Sequence, residues 1–345
     1  MLKALLAAIV VGTWNGNWFP SGRAEHRAHP DVEAATVQAV GNMLRRGIDA
    51  VDPAGTNDLI LCFNEIRGPK VAHELCAAIG RTNLSVAIVT GYRRRDRFDQ
   101  QQDVIMTTLP VAESSWSLWK ARNGVNPPRG YAMAKVVVEP SVTSTVYAVH
   151  LKSNYGATTD ELRASNREKR RLPIEQLVEM TTAKAKRVRS SSALLKDDGP
   201  IIIAGDFNAD KWRREFASET IFDALESAGF LNILSLLPED RRGTHPSKRW
   251  GDSALDYIYT RGFLVAGGPW IFPAENLSDH CPVFVVICGG APSADAPRPR
   301  RTARGLQRRS CYRATWPKLT SSSVFGGSRA ICRAVTCLHR EMVVP

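Results

Sequence analysis

Residues 201–208 read Ile201-Ile202-Ile203-Ala204-Gly205-Asp206-Phe207-Asn208. An apolar run of this kind reads as a buried strand, and its polar end puts a carboxylate and an amide on one loop at the strand's C-terminal edge. Further on, Leu277-Ser278-Asp279-His280-Cys281-Pro282-Val283 supplies another carboxylate and an imidazole just before a second apolar run. Hard oxygen ligands beside a titratable ring suit metal-assisted attack on a phosphate ester.

Other short β-type runs surround these two. They cover 5–12, 58–63, 84–90, 103–107, 132–138, 144–150, 200–204, 255–259 and 282–287. Between them, 32–46 places Val32, Ala35, Val37, Val40, Met43 and Leu44 mostly on one helical face, and 70–79 predicts a second short helix. The polar stretch 159–197 is helix-like, with Pro173 expected to split or kink it. Helices interspersed with many strands, some of them hairpin-like, imply a layered α/β protein rather than a pure βαβ repeat.

Several of these strands end on polar groups of one chemical kind. Thr13-Trp14-Asn15 closes the first, and Phe63-Asn64-Glu65 the second. A middle strand ends Ala148-Val149-His150, a later one gives Asp206 and Asn208, and Leu255-Asp256-Tyr257-Ile258 precedes the final Asp279-His280. Any one of these alone has an ordinary explanation as a turn former, a solvated acid or a structural histidine. Their succession in one chain does not.

The net charge of +12 in 345 residues looks like a nucleic-acid signature until it is located. Residues 289–345 hold eleven Lys or Arg against Asp295 and Glu341, a local charge of +9, which leaves +3 for the other 288 residues. The expected organisation is therefore a nearly neutral domain over 1–288 and a basic tail over 289–345, rich in Pro, Arg, Ser and Gly, of a disorder-prone composition. Seven cysteines show no CxxC pair and no zinc-ligand spacing. No run reaches the ~18 apolar residues of a membrane-spanning helix. The start, Met1 to Gly12, has the basic residue and apolar stretch of an export signal. It runs straight into Thr13-Trp14-Asn15, however, so cleavage there would remove the strand that carries Asn15. A cytoplasmic protein is the default expectation, with export the alternative.

The order and wording of Thr13-Trp14-Asn15, Gly205-Asp206-Phe207-Asn208, Leu255-Asp256-Tyr257-Ile258 and Ser278-Asp279-His280 resemble the endonuclease/exonuclease/phosphatase superfamily over roughly residues 7–288. The resemblance implies a four-layer sandwich, two mixed β-sheets face to face with helices outside, and a site at one edge. It implies metal ligation by Glu65, with Asn15 beside it and Asp279 near the ion, directly or through water. It implies His280 as the catalytic histidine oriented by Asp256, Asp206 as the residue that orients or deprotonates water, and Asn208 as a donor to a phosphate oxygen. His150 resembles a second histidine of the deoxyribonuclease and sphingomyelinase branches, and Arg129 a phosphate-binding arginine. Asn64 departs from the glutamine usual before the metal-binding glutamate.

The implied activity is Mg²⁺-dependent (or Mn²⁺-dependent) phosphodiester hydrolysis by water, in a monomeric enzyme with no further protein partner. Nucleic acid is the expected substrate and a deoxyribonuclease-like endonuclease the leading reading. A phosphoesterase for lipid or small-molecule esters is the alternative, because the domain itself carries so little charge. Whether Asp206 or His280 takes the proton stays open at this stage. Two further features have two readings each. The basic residues Arg93-Arg94-Arg95 with Arg97, and Arg163, Arg167, Lys169, Arg170 and Arg171, could track a phosphate backbone or be solvated. Trp116 and Trp119 could stack on bases or pack under a loop.

Overall fold

The computed structural model describes residues 8–22, 28–94, 97–98, 101–182, 199–248 and 251–289. In chain order the elements are β1 (Ala8–Phe19), α1 (Pro30–Val51), β2 (Asp58–Ile66), α2 (Pro69–Ile79), β3 (Ser85–Val89), β4 (Arg93–Arg94), β5 (Arg97–Phe98) and β6 (Gln102–Thr107). There follow β7 (Val111–Leu118), β8 (Gly130–Glu139), β9 (Val142–His150), α3 (Asp160–Thr181), β10 (Ile201–Asp206), α4 (Ile221–Ser227), β11 (Leu231–Asn232), β12 (Asp256–Arg261), β13 (Phe263–Ile271) and β14 (Val283–Gly289).

They build two six-stranded sheets, β13-β14-β1-β2-β6-β3 and β11-β12-β10-β9-β8-β7, beside the small β4-β5 ribbon. Both sheets are mixed: β1–β2 and β9–β10 pair in parallel, the others antiparallel. The strands of the first sheet show why it needs cover on both faces. Ile9, Val11, Ile60, Cys62 and Ile105 share a core with the second sheet. Their alternate neighbours Val10, Leu59, Leu61, Phe63, Val104 and Met106 pack with Val37, Val40, Leu44 and Ile48 of α1 and Leu75 and Ile79 of α2. Period-two alternation between two apolar environments is what an interior sheet requires. On the far side, Ile174 and Leu177 of α3 and Ile221, Phe222 and Leu225 of α4 join the core of the second sheet. The expected α/β sandwich of two facing sheets with outer helices is therefore the fold.

Three differences from the sequence reading have physical causes. α3 runs through Pro173 as one helix, because Leu172, Pro173, Ile174 and Leu177 form its buried face and packing outweighs the lost backbone bond. β7 and β13 were not expected from any apolar run. All eight residues of β7 are exposed on a sheet edge, and Gly267-Gly268-Pro269 interrupts the apolar pattern of β13. Gly289 closes β14, whereas residues 183–198 and the rest of the basic tail, 290–345, lie outside the described residues.

Candidate active site

Register alone assembles half of the site. On β9, β10 and β12 the residues His150, Asp206 and Asp256 stand directly opposite one another, at the C-terminal ends of the parallel pair and the start of the antiparallel strand. Side chains in register on adjacent strands share a face, so the three polar groups form a row. The row depends on Gly205, whose φ is +144° and where a Cβ would stand 1.9 Å from the carbonyl oxygen of Val149. Only glycine tolerates that approach.

The facing sheet brings Asn15 from β1 and Glu65 from β2. The Asn15 side-chain amide donates to Asp206 Oδ2 at 2.9 Å, bridging the two sheets, and stands 3.5 Å from Glu65 Oε1. Glu65 Oε2 accepts the Trp18 N–H at 3.0 Å. Its Oε1 has only that distant amide and His150 Nε2 at 3.6 Å, longer than an ordinary hydrogen bond. A carboxylate oxygen this weakly satisfied, beside the Asp206 carboxylate, fits a hard divalent cation, and Asn15, whose Oδ1 accepts the Asn17 N–H at 2.9 Å, would add an oxygen donor by turning its amide. Backbone strain gathers here too: Asn17, Trp18, Glu65 and Asn208 all have positive φ, at 49°, 59°, 59° and 51°. Asn64 ties the sheets behind this centre, accepting the Asp206 N–H at 2.9 Å and donating to Asp103 Oδ1 at 2.7 Å.

His280 lies against Asp256, its Nδ1 2.7 Å from Asp256 Oδ2. The same oxygen accepts the Thr244 hydroxyl at 2.8 Å. Burial works against charge on the His280 ring, but Asp256, with help from Asp206 and Asp279, outweighs it and raises the pKa to about 10. The backbone of His280 is fixed by the Trp14 indole N–H, which donates to its carbonyl at 3.0 Å, and by the Ser278 hydroxyl, which accepts its N–H at 3.0 Å. Asp206 is displaced upward, chiefly by burial and further by Asp256, with His280 opposing.

The other sequence-expected residues are distributed as follows. His150 is buried with Nε2 3.5 Å from Asp206 Oδ2, and no group bonds its Nδ1. Asp279 is half-exposed and turned toward two imidazoles, 3.5 Å from His245 Nε2 and 4.0 Å from His280 Nε2. Arg129 is held by Gln101 Oε1 and, at 3.5 Å, by the carbonyl oxygen of Leu151. Asn208 stands beside Asp206. Its side-chain amide donates to Leu151 O at 3.1 Å and to Asp206 Oδ2 at 2.8 Å, while its backbone N–H donates to Asp206 Oδ1. One amide hydrogen is thereby on Leu151 O and the other on Asp206, so in this structure Asn208 helps to hold the Asp206 carboxylate.

Three arginines of the basic run of α3 are engaged by carboxylates. Arg163 pairs with Asp160, Arg171 with Glu168 and Glu175, and the buried Arg170 with Glu219. Arg170 also donates to Lys152 O at 2.7 Å and Asn154 Oδ1 at 3.1 Å, bracing the loop after His150. Trp119 is buried against Tyr131, and Trp116 is half-exposed with its ring edge on Tyr92. The side chains of Arg94, Arg95 and Arg97 lie outside the described residues.

Thr244, His245, Asp103 and Tyr92 were not anticipated. Asp103 sits at the end of the Asn64 bridge and also accepts the Tyr92 hydroxyl at 2.9 Å. No local pattern marks these residues, since each partner is remote in the chain.

A fold of two facing mixed sheets whose strand ends converge on carboxylates, an amide and an Asp-paired histidine defines a class of phosphate-ester hydrolases. The sequence matches the Endonuclease/Exonuclease/phosphatase family over residues 12–280, and the chain belongs to that family. No curated protein matches it by sequence. Similar solved structures include the endonuclease/exonuclease/phosphatase from Beutenbergia cavernae DSM 12333, at 15% identity and TM-score 0.56 over 82% of this chain and 72% of that one. The human Nocturnin catalytic domain with bound sulfate anion is similar at 15% identity and TM-score 0.53, covering 83% and 96%. D. rerio TDP2 complexed with single strand DNA product is similar at 14% identity and TM-score 0.50, covering 81% and 98%. At these identities the likeness is one of fold.

Proposed function

We propose that this protein hydrolyses phosphodiester bonds in nucleic acid with Mg²⁺, as a deoxyribonuclease-like endonuclease. The observation that carries the reading is the meeting of Asn15 and Glu65 from one sheet with His150, Asp206 and the Asp256–His280 pair from the other, at a single edge of the sandwich. Glu65 and Asn15 would hold Mg²⁺, with Mn²⁺ as a substitute and Asp279 as a further oxygen donor, directly or through water. Bound there, the cation supplies charge neutralisation for the phosphate and the departing oxygen.

The chain's own groups do the rest. Asp206, held by Asn15, Asn208 and the Asn64-bound backbone N–H, orients the attacking water and accepts its proton. His280 keeps its ring proton on the Asp256 side and offers Nε2–H to a phosphate oxygen, and Asp256 fixes that orientation. His150, near Asp206 and Glu65, is a second ring available to the phosphate. No covalent intermediate is needed.

Nucleic acid is favoured by two things: the charges of Arg129 and Lys152 act on His150 beside the site, and a protein of the same fold holds single strand DNA product. The near-neutral domain favours the second reading, a lipid or small-molecule phosphoesterase.

Purified protein should nick supercoiled plasmid in Mg²⁺ and not in EDTA, and both Glu65→Ala and His280→Ala should abolish nicking. Intact plasmid alongside metal-dependent cleavage of bis(p-nitrophenyl) phosphate or of a phospholipid would move the substrate to the second reading. Hydrolysis that survives Glu65→Ala would overturn the site itself.

A further inference from the structure

The loop that precedes β12 brings a third imidazole to the edge of the site. The Thr244 and His245 N–H groups both donate to Ser253 O, at 2.9 and 2.8 Å, and Ser253 N–H returns a bond to His245 O at 3.0 Å. The Thr244 carbonyl in turn accepts the N–H of Cys281 at 2.7 Å. This stitching fastens the loop to the segment that carries Asp279 and His280. The rings of His245 and His280 meet edge to face with centroids 4.8 Å apart. One ligand atom from each of His245, Asp279 and His280 falls within 4.8 Å of the others.

We propose that His245, Asp279 and His280 form a second cation site, which takes a borderline divalent metal of the zinc class and whose occupancy switches hydrolysis off.

Distances support coordination. Around a tetrahedral Zn²⁺ with bonds of about 2.0–2.1 Å, neighbouring ligand atoms lie roughly 3.3 Å apart. Asp279 Oδ2 lies 3.5 Å from His245 Nε2 and its Oδ1 4.0 Å from His280 Nε2, and one ligand atom from each residue lies within 4.8 Å of the others. The half-exposed Asp279 carboxylate is free to close the difference by rotation, whereas the two rings are set by packing and backbone bonds.

The donor chemistry separates this site from the one at Glu65 and Asn15. Two imidazole nitrogens and one carboxylate suit Zn²⁺, Mn²⁺ or Co²⁺, while Mg²⁺ prefers oxygen ligands throughout. The outer shell is also present. His280 Nδ1 rests on Asp256 Oδ2, which the Thr244 hydroxyl also supports, leaving Nε2 as the outward nitrogen. A carboxylate on the far nitrogen is the usual support of a metal-bound histidine. Solvent reaches the site through Asp279 and the partly exposed His245, so a water can complete the coordination.

The consequence for activity rests on the function proposed above. A metal on His280 Nε2 displaces the proton of that nitrogen to solvent and removes this donor from the phosphate, so Zn²⁺ should inhibit turnover that Mg²⁺ supports, more strongly as pH rises, and Mg²⁺ should compete at most through the shared Asp279.

The test uses the full chain and two variants, His245→Phe, which keeps a ring against His280, and His245→Gln, which keeps a polar group. Co²⁺ titration should give visible absorption bands of a low-coordinate nitrogen and oxygen site, displaced by Zn²⁺. In both variants the bands should be lost or the Co²⁺ affinity weakened at least about tenfold. Plasmid nicking in Mg²⁺ should persist in the variants with a similarly raised Zn²⁺ concentration for half-inhibition. Parent protein without Co²⁺ bands, or variants that match it in both Co²⁺ binding and Zn²⁺ sensitivity, would overturn the proposal. Zn²⁺ binding through His245 without inhibition would overturn the switch. Inactivity of the parent on every ester would count against the proposed function and leave the Co²⁺ measurement to decide the site.

Discussion

His280 and His150 flank Asp206 at the same edge of the sandwich, both buried, and their surroundings are opposite. His280 has a carboxylate 2.7 Å from its Nδ1 and two more nearby, so it is held as a cation. His150 has nothing bonded to Nδ1. Burial first, and then the charges of Arg129, His280 and Lys152, push its pKa well below the ordinary histidine range and keep it neutral. One strand edge thus presents a cationic ring and a neutral ring a few ångströms from the same carboxylate. The difference comes from neighbours and not from residue type: Asp256 on β12 bonds His280 Nδ1, whereas Glu65 and Asp206 stand 3.6 and 3.5 Å from His150 Nε2, beyond a hydrogen bond, and its Nδ1 has no partner.

The largest effect should come from removing the carboxylate that makes the two rings unlike. Asp256→Asn leaves the packing volume intact but removes the anion that holds the His280 proton and tautomer, and should lower kcat by roughly 10³–10⁴-fold. Steady-state kinetics on bis(p-nitrophenyl) phosphate would check it. A loss under tenfold would mean that the pair is structural.

The second expectation concerns pH and stability. His280 titrates above its unfolded value of 6.5, at about 10, so its contribution is fully present below pH 6.5 and disappears as pH rises toward 10. His150 titrates below 6.5, so its contribution is present above that pH and is lost on acidification. Each unit of displacement weighs about 1.4 kcal/mol. Urea unfolding across pH, taken as the difference between each variant and the parent, should show His280→Gln removing the alkaline loss and His150→Gln the acid loss. Difference curves with the same sign of slope would refute the contrast. On activity, His150→Gln should cost about 10²-fold in kcat, a hydrogen-bonding contribution rather than that of a fixed charge.

The contrast was only half legible in the sequence. Apolar runs that end in Asn15, Glu65, His150 and Asp206, and the one that Asp256 opens, are readable because a buried strand needs such a run and its ends are where polar groups become tolerable. Which strands are neighbours is set by pairing between residues far apart in the chain, and so is the electrostatics. Nothing near His150 in the sequence shows that its Nδ1 would be left bare. The Asn64 bridge to Asp103 and the Asp206 backbone likewise spans 39 and 142 positions. Thr244 and His245 sit in a stretch with no periodicity, where a site residue has no run to mark it. Exposed β7 was invisible because edge strands need no apolar face.

The smallest effect asks what keeps His150 neutral. Burial is the leading cause and Arg129 the next, so Arg129→Met should raise the His150 pKa while leaving it below the ordinary histidine range. Proton titration of the His150 ring by NMR would read this shift, and the His280 ring in the same spectra serves as an internal control that should move little. Arg129 is held by Gln101 and the Leu151 carbonyl oxygen and also acts on the buried Asp103, so a phosphate or His150 would share its charge. If it contacts substrate, KM should rise severalfold with kcat nearly unchanged; if it acts on His150 alone, the pH profile should move and KM should not. A His150 titration that falls or stays fixed in Arg129→Met would leave burial as the whole cause and remove Arg129 from the account of the neutral ring.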